Sequence, residues 1–256
     1  MVLLITVTAG CRDRRAAAPP AAPPVWGVPA EPLRFVSYNT FKSGRGRDRI
    51  IADVRGLNPD FVFMQEVLVD QADAIAKDLG MNVAFREHGN YPGEGIAVYS
   101  RFPLENVEAV QDRHNRTCAV LADTQVGNRQ FTVAAVHLQA TTSAMPDRLI
   151  VSDHMRGEEL GLIHKARVRR GSRPIVIGGD FNQPPMGPNY LAMTASLTDA
   201  LSWVGHPSPT LGDGAIKLRV DYLLCSNDWQ PKDGGTLTES TASDHRPIWA
   251  VMKAKP

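Results

Sequence analysis

Four acids and two histidines stand where apolar runs end. Glu66 follows Phe61-Val-Phe-Met-Gln65, His137 follows Val133-Ala-Ala-Val136, and Asp180 follows Ile175-Val-Ile-Gly-Gly179. Asp221 precedes Tyr222-Leu-Leu224, and Asp244-His245 precedes the run that starts at Pro247. A charge buried without a partner is costly, so such a set at the tips of buried strands needs a chemical reason. Hard divalent cations supply one, because they take carboxylate oxygens from few protein residues and keep several waters. Glu66 is the leading ligand candidate. Asn39, after Leu33–Tyr38, would add a neutral ligand or orient a water. Alone, Glu66 also reads as a strand end reaching solvent.

Asp180 and Asn182 are two residues apart, so a chain that stays extended puts both on one face. The two glycines before Asp180 read as a place where the backbone turns sharply and approaches a ligand. The same residues equally describe an Asx turn closing a strand. Asp244 and His245 are adjacent and cannot both aim at one atom, which sends Asp244 toward a metal and His245 toward a reacting group. A working histidine needs a partner that fixes its tautomer, and Asp221 is the candidate. His137 is a second candidate proton carrier or phosphate donor.

The elements that must position these residues alternate along the chain. Leu33–Tyr38, Asp60–Met64, Gly95–Tyr99, Thr117–Asp123, Gln130–His137, Pro174–Ile177, Val220–Leu224 and Pro247–Met252 read as strands. Ile50, Ile51, Val54 and Leu57 share one helical face, as do Val69, Ala72, Ile75, Ala76 and Leu79. A further helix is expected within Arg148–Arg170. Many strands with fewer helices suggest sheet packed on sheet with helices outside.

The 256 residues suit one large domain, from 33 to 256. Residues 11–32 read as a Pro/Ala-rich tether, and residues 1–10 as a signal peptide. Thr8-Ala9-Gly10-Cys11 resembles the lipobox of bacterial lipoproteins, although no Lys or Arg precedes the apolar run. The expectation is an exported protein held at the membrane through lipid on Cys11. Three arginines and two acids fall in the first 31 residues, leaving 25 charges of each sign in the remainder. Any affinity for nucleic acid must then come from local patches. Cys118 and Cys225 read as small buried hydrophobes, with a disulfide between them as the alternative.

In chain order, Tyr38-Asn39, Gln65-Glu66, His137-Leu138, Gly179-Asp180-Phe181-Asn182, Val220-Asp221-Tyr222 and Ser243-Asp244-His245 resemble the motif series of the endonuclease/exonuclease/phosphatase superfamily. Each motif is short, but six in order are specific together. The resemblance implies an α/β fold, a four-layer α/β sandwich of two mixed sheets packed face to face. It implies Mg²⁺ or Mn²⁺ with Glu66 as chief ligand and Asn39 and Asp244 nearby. It casts Asp180 as positioning or deprotonating the attacking water and Asn182 as holding phosphate. His245, backed by Asp221, and His137 would contact the scissile phosphate. Arg116 resembles an arginine that contacts substrate phosphate in deoxyribonuclease-I-like members, and equally reads as a strand-edge charge.

Val67-Leu68 after Glu66, and Gln183-Pro184-Pro185 after Asn182, depart from the apurinic-endonuclease and inositol-phosphatase patterns. A nuclease or a sphingomyelinase-like phospholipid phosphodiesterase remains. Lys42, Arg45, Arg47 and Arg49 lie just past Asn39 and favour nucleic acid as the partner. A second basic run, Lys165 to Arg173, more often marks a solvated helix end. The expectation is therefore a monomeric, metal-dependent phosphodiesterase acting on DNA or RNA. The rival readings are a phospholipid phosphodiesterase, a phosphomonoesterase, and a binding lipoprotein without catalysis.

Overall fold

The computed structural model describes residues 32–89, 92–141, 145–171, 173–212 and 217–255, so the proposed signal peptide and tether lie outside the described residues. In chain order the elements are β1 (Leu33–Asn39), α1 (Arg47–Leu57), β2 (Phe61–Leu68), α2 (Ala72–Leu79), β3 (Asn82–Glu87), β4 (Glu94–Ser100), β5 (Glu105–Gln111), β6 (Thr117–Val126) and β7 (Arg129–His137). They continue with α3 (Pro146–Arg169), β8 (Ile175–Asp180), α4 (Pro188–Thr194), β9 (Thr198–Asp199), α5 (Ala200–Trp203), β10 (Asp221–Cys225), β11 (Trp229–Thr236) and β12 (Ile248–Ala254).

The strands form two six-stranded sheets, ordered β11-β12-β1-β2-β4-β3 and β5-β6-β7-β8-β10-β9. Within the first, only β1 and β2 are parallel; within the second, only β7 and β8 are. The strand faces that alternate inward meet in one apolar layer, with Phe35, Phe61, Phe63, Ile96, Val98, Phe131, Val133, Val176, Leu223 and Ile248 among its members. Ile50, Ile51, Val54 and Leu57 of α1, with Ala72 and Ile75 of α2, close the outer face of the first sheet. Ile163 and Ala166 of α3, with Met193 of α4, close the outer face of the second. The expected four-layer sandwich is what forms, because each sheet has an apolar face to bury on either side. Among the described residues no helix is long and apolar enough to cross a membrane.

The role expected of the two glycines changes. Gly178 and Gly179 lie inside β8 and do not make a sharp turn. A Cβ on Gly178 would sit 2.1 Å from Cδ2 of Phe63, and one on Gly179 would sit 2.0 Å from the Val136 carbonyl oxygen. The glycines therefore let β8 close on the opposing sheet and on β7, which brings Asp180 to its place. Cys118 and Cys225 are both buried and unpaired. They belong to different apolar clusters, so they are packing residues. Within the basic run at the end of α3, Arg170 and Arg173 are structural: Arg170 reaches Asp123 at 2.8 Å and Glu108 at 3.1 Å, and Arg173 reaches Asp123 at 2.7 Å.

Candidate active site

The C-terminal ends of the two parallel strand pairs meet at one end of the sandwich. β1 and β2 deliver Asn39 and Glu66; β7 and β8 deliver His137 and Asp180, which are in register. Asn39 ties the sheets together. Its amide Nδ2 donates to Glu66 Oε1 at 3.0 Å and to Asp180 Oδ2 at 3.1 Å. Its Oδ1 accepts from the Phe41 N–H at 3.0 Å, which fixes which way the amide faces.

Glu66 reaches this point through a bulge. The register of β2 against β4 shifts between Met64 and Val67, and Glu66 itself has φ of 55°. A left-handed backbone on a non-glycine residue costs about 1–3 kcal/mol and persists where the surroundings over-determine it. Here the Thr40 hydroxyl donates to the Gln65 and Glu66 carbonyls, both at 3.0 Å, and holds the bulge.

Asp221 starts β10, opposite Asp180 across an antiparallel pair. Its Oδ2 lies 2.8 Å from His245 Nδ1, and both residues are buried. Burial works against a charged His245, but the carboxylates of Asp221 and Asp180 outweigh it and raise its pKa to about 10. The His245 Nε2 then faces Asp180 Oδ2 at 3.7 Å. Ser243 sets this segment: its hydroxyl donates to the Asn39 carbonyl at 2.8 Å and accepts from the His245 N–H at 3.2 Å. Asp244, between them, is partly buried and accepts from the same hydroxyl.

His137 has the opposite electrostatics. Burial, then the neighbouring His88, Arg116 and His245, hold its pKa well below the usual value. Its Nε2 is 3.8 Å from Asp180 Oδ2 and 4.0 Å from Glu66 Oε1. The structure thus brings together Asn39, Glu66, His137, Asp180, Asp221 and His245.

Asn182 does not continue the strand. It has φ of 51°, and its backbone N–H donates to Asp180 Oδ1 at 2.8 Å, so the Asx turn forms and the extended reading fails. Its side-chain amide donates to the Leu138 carbonyl at 3.0 Å, which ties the β8 turn to the end of β7. Arg116 is only 6% exposed. It donates to the Glu159 carboxylate, and at 3.0 Å to the carbonyl of His137. Its charge is matched by Glu159 and by Asp112 at 3.7 Å, behind His137.

The donor set suits a divalent cation. Burial raises the pKa of both Glu66 and Asp180, the latter to about 7, so their neighbours under-compensate the charged forms. A hard cation relieves that condition. Asp180, Asp221 and His245 also present ligand atoms within 4.8 Å of one another. Two of those three are hydrogen-bonded to each other, whereas the Glu66 side chain is 20% exposed and is the acid left for an ion. Asn39 turns its amide nitrogen and not its oxygen to the acids, so the expected ligand role gives way to that of a donor that orients them.

Sequence reasoning missed three contributors. Ser243 stood inside a recognised motif, but its hydroxyl gave no sign of reaching β1. Glu94 is buried at the start of β4, paired with Lys42 at 3.2 Å, and its charge acts on Glu66. His88 contacts His137 Nδ1 at 3.1 Å and follows a strand too polar to read.

A fold of this topology with such a site is that of a metal-dependent phosphoester hydrolase. The Endonuclease/Exonuclease/phosphatase family model matches residues 36–245, and the chain belongs to that family. The catalytic domain of human Nocturnin, solved with a sulfate anion, superposes with a TM-score of 0.72 at 20% identity, covering 88% of this chain and 95% of that one. An endonuclease/exonuclease/phosphatase from Bacteroides vulgatus gives 0.73 at 18% identity, covering 88% and 100%. A mannosyl-6-phosphatase of Bacteroides thetaiotaomicron gives 0.71 at 18% identity, covering 86% and 99%. No curated protein sequence matches the chain.

Proposed function

We propose that the chain hydrolyses phosphodiester bonds of DNA or RNA by in-line attack of an activated water. The observation that carries the reaction is the Asp221–His245–Asp180 arrangement set against Glu66 across the Asn39 amide. A divalent cation held by Glu66, with Asp244 as a second acid, would neutralise charge on the phosphoryl oxygens, while Asn39, whose amide nitrogen faces the acids, orients Glu66 and Asp180. Asp180, whose pKa is lifted toward neutrality, accepts the proton of the attacking water. His245, held charged by Asp221, donates from Nε2 to an oxygen of the phosphoryl group as negative charge builds there. Asn182 orients Asp180 through its backbone N–H. Arg116, already matched by two acids, acts through the His137 carbonyl and not on the phosphate.

Nucleic acid is favoured by the basic stretch that follows β1. Arg45 donates to the carbonyl of Ser243, next to Asp244, so this stretch borders the site. A phospholipid substrate is the second reading. It is favoured by exposed Met145, Leu149, Ile150 and Met186 on the segments that follow β7 and β8. A panel of DNA, RNA, sphingomyelin, phosphoinositides and a phosphomonoester, each with Mg²⁺ or Mn²⁺, tests the assignment. Cleavage of nucleic acid that stops on chelation and returns with metal is expected. Cleavage of lipid or monoester alone would replace the nucleic-acid reading. Activity that survives exhaustive chelation would end the metal-dependent one. The lipid anchor is a separate proposal: labelled fatty acid should enter the wild type and not Cys11→Ser.

A further inference from the structure

His88 lies just beyond β3 and is 2% exposed. Its Nδ1 is 2.7 Å from the carbonyl oxygen of Thr117, and its Nε2 is 3.1 Å from Nδ1 of His137. A carbonyl oxygen only accepts, so the first contact requires a hydrogen on His88 Nδ1. A neutral imidazole carries one N–H, so His88 Nε2 is then a lone pair. The contact with His137 has one remaining direction: His137 Nδ1–H donates to His88 Nε2. Burial disfavours charge on both rings, and the Thr117 hydrogen bond opposes this only for His88.

The backing is rigid. Thr117 opens β6; its N–H donates to the His88 carbonyl at 3.1 Å and its hydroxyl to the Glu87 carbonyl at 2.8 Å. The His88 and His137 rings lie 5.1 Å apart, tilted by 56°. With the proton on Nδ1, the other nitrogen of His137 points a lone pair at the space beside Glu66 and Asp180.

We propose that His88 is a positioning residue that locks His137 in its Nδ1–H form, so that His137 Nε2 accepts a hydrogen bond from the attacking water and orients it while its other proton passes to Asp180. His245 is the donor on the other side. A carboxylate in the place of His88 would give the same orientation but stabilise an imidazolium. A neutral imidazole gives the orientation without the charge. The site then holds one histidine of each kind, and the sequence reading of His137 as a phosphate donor gives way to that of an acceptor. This inference rests on the phosphoester-hydrolase reading for its kinetics only.

The test has two arms. The first is ¹⁵N-histidine NMR of the metal-free protein, in which ring couplings separate Nδ1–H from Nε2–H. Wild-type His137 should carry its proton on Nδ1, and His88→Leu should lose that preference. The second is turnover of bis(p-nitrophenyl) phosphate with Mg²⁺. His88→Leu should lose about 10²-fold in kcat with KM little changed. His88→Gln, whose Oε1 can accept from His137 Nδ1–H, should recover most of it at a similar Tm. A wild-type His137 protonated on Nε2 would overturn the proposal, as would equal losses in His88→Leu and His88→Gln. If His88→Leu does not fold, the wild-type spectrum and His88→Gln still decide. The expected tautomers in a chain that cleaves no phosphoester would end the reaction and leave the positioning role standing.

Discussion

The two sheets repeat one pattern and divide the work. Each runs antiparallel, antiparallel, parallel, antiparallel, antiparallel across its six strands, and each offers the site the C-terminal ends of its single parallel pair. On the first sheet those ends carry an amide and an acid, Asn39 and Glu66. On the second they carry a histidine and an acid, His137 and Asp180. The acids differ in depth: the Glu66 side chain is 20% exposed and that of Asp180 is 2%. They differ in backbone too, since Glu66 sits on a left-handed bulge while Asp180 ends β8 in register with His137. A shallow acid on a bulge suits a cation that keeps waters. A deep acid between two histidines suits proton transfer. One scaffold used twice thus yields a charge-neutralising half and a proton-handling half.

Breaking the proton half should have the largest effect. His245→Ala should lower kcat by about 10³-fold with the fold intact. Asp221→Asn should lower it too, through the wrong tautomer. The double variant should be little worse than His245→Ala, because the pair acts as one unit. Losses that multiply would mean the two are uncoupled, and turnover and thermal unfolding on the same preparations decide.

Glu66→Gly sharpens the comparison from the cation half. Glycine accepts a φ of 55° without strain, so this variant should lose activity yet gain about 1 kcal/mol of stability without metal, read by denaturant unfolding. A loss of stability would mean the bulge is not strained.

An effect on stability alone, with turnover unchanged, is expected at the Asp123 cluster on the second sheet. Burial raises the Asp123 pKa, but hydrogen bonds from Asn106, Thr132 and Arg170 outweigh it and leave it lowered. A lowered carboxylate stabilises the fold above its unfolded pKa, and that contribution is lost as pH falls through the folded pKa. Asp123→Asn should therefore cost about 1–2 kcal/mol at pH 7. The gap to wild type should narrow below the ordinary carboxylate range. A gap that stays constant on acidification would contradict the assignment.

Most of the site was legible because its residues end central strands, which are buried on both faces and read as apolar runs. The strands that went unread, β3, β5, β9 and β11, are the four sheet edges. β5 is Glu105-Asn-Val-Glu-Ala-Val-Gln111, and β11 contains Pro231, Lys232, Gly234 and Gly235. Polar residues, proline and lysine protect an edge from pairing with other chains, and they also erase its signature. His88 was lost with β3 for this reason. The repeated topology left no mark either, because Asn39 with Glu66 and His137 with Asp180 share positions and not residue types. The Asx turn at Asn182 was visible as an alternative; only the register of β8 could choose it.

The division of labour is tested most directly by titrating Mn²⁺ into wild type, Glu66→Gln and His245→Ala. Free ion is read by its electron paramagnetic resonance signal, and turnover is measured on the same samples. The account predicts that Glu66→Gln loses both binding and turnover, whereas His245→Ala binds Mn²⁺ like wild type and turns over about 10³-fold more slowly. A Glu66→Gln that binds like wild type, or a His245→Ala that fails to bind, would contradict it.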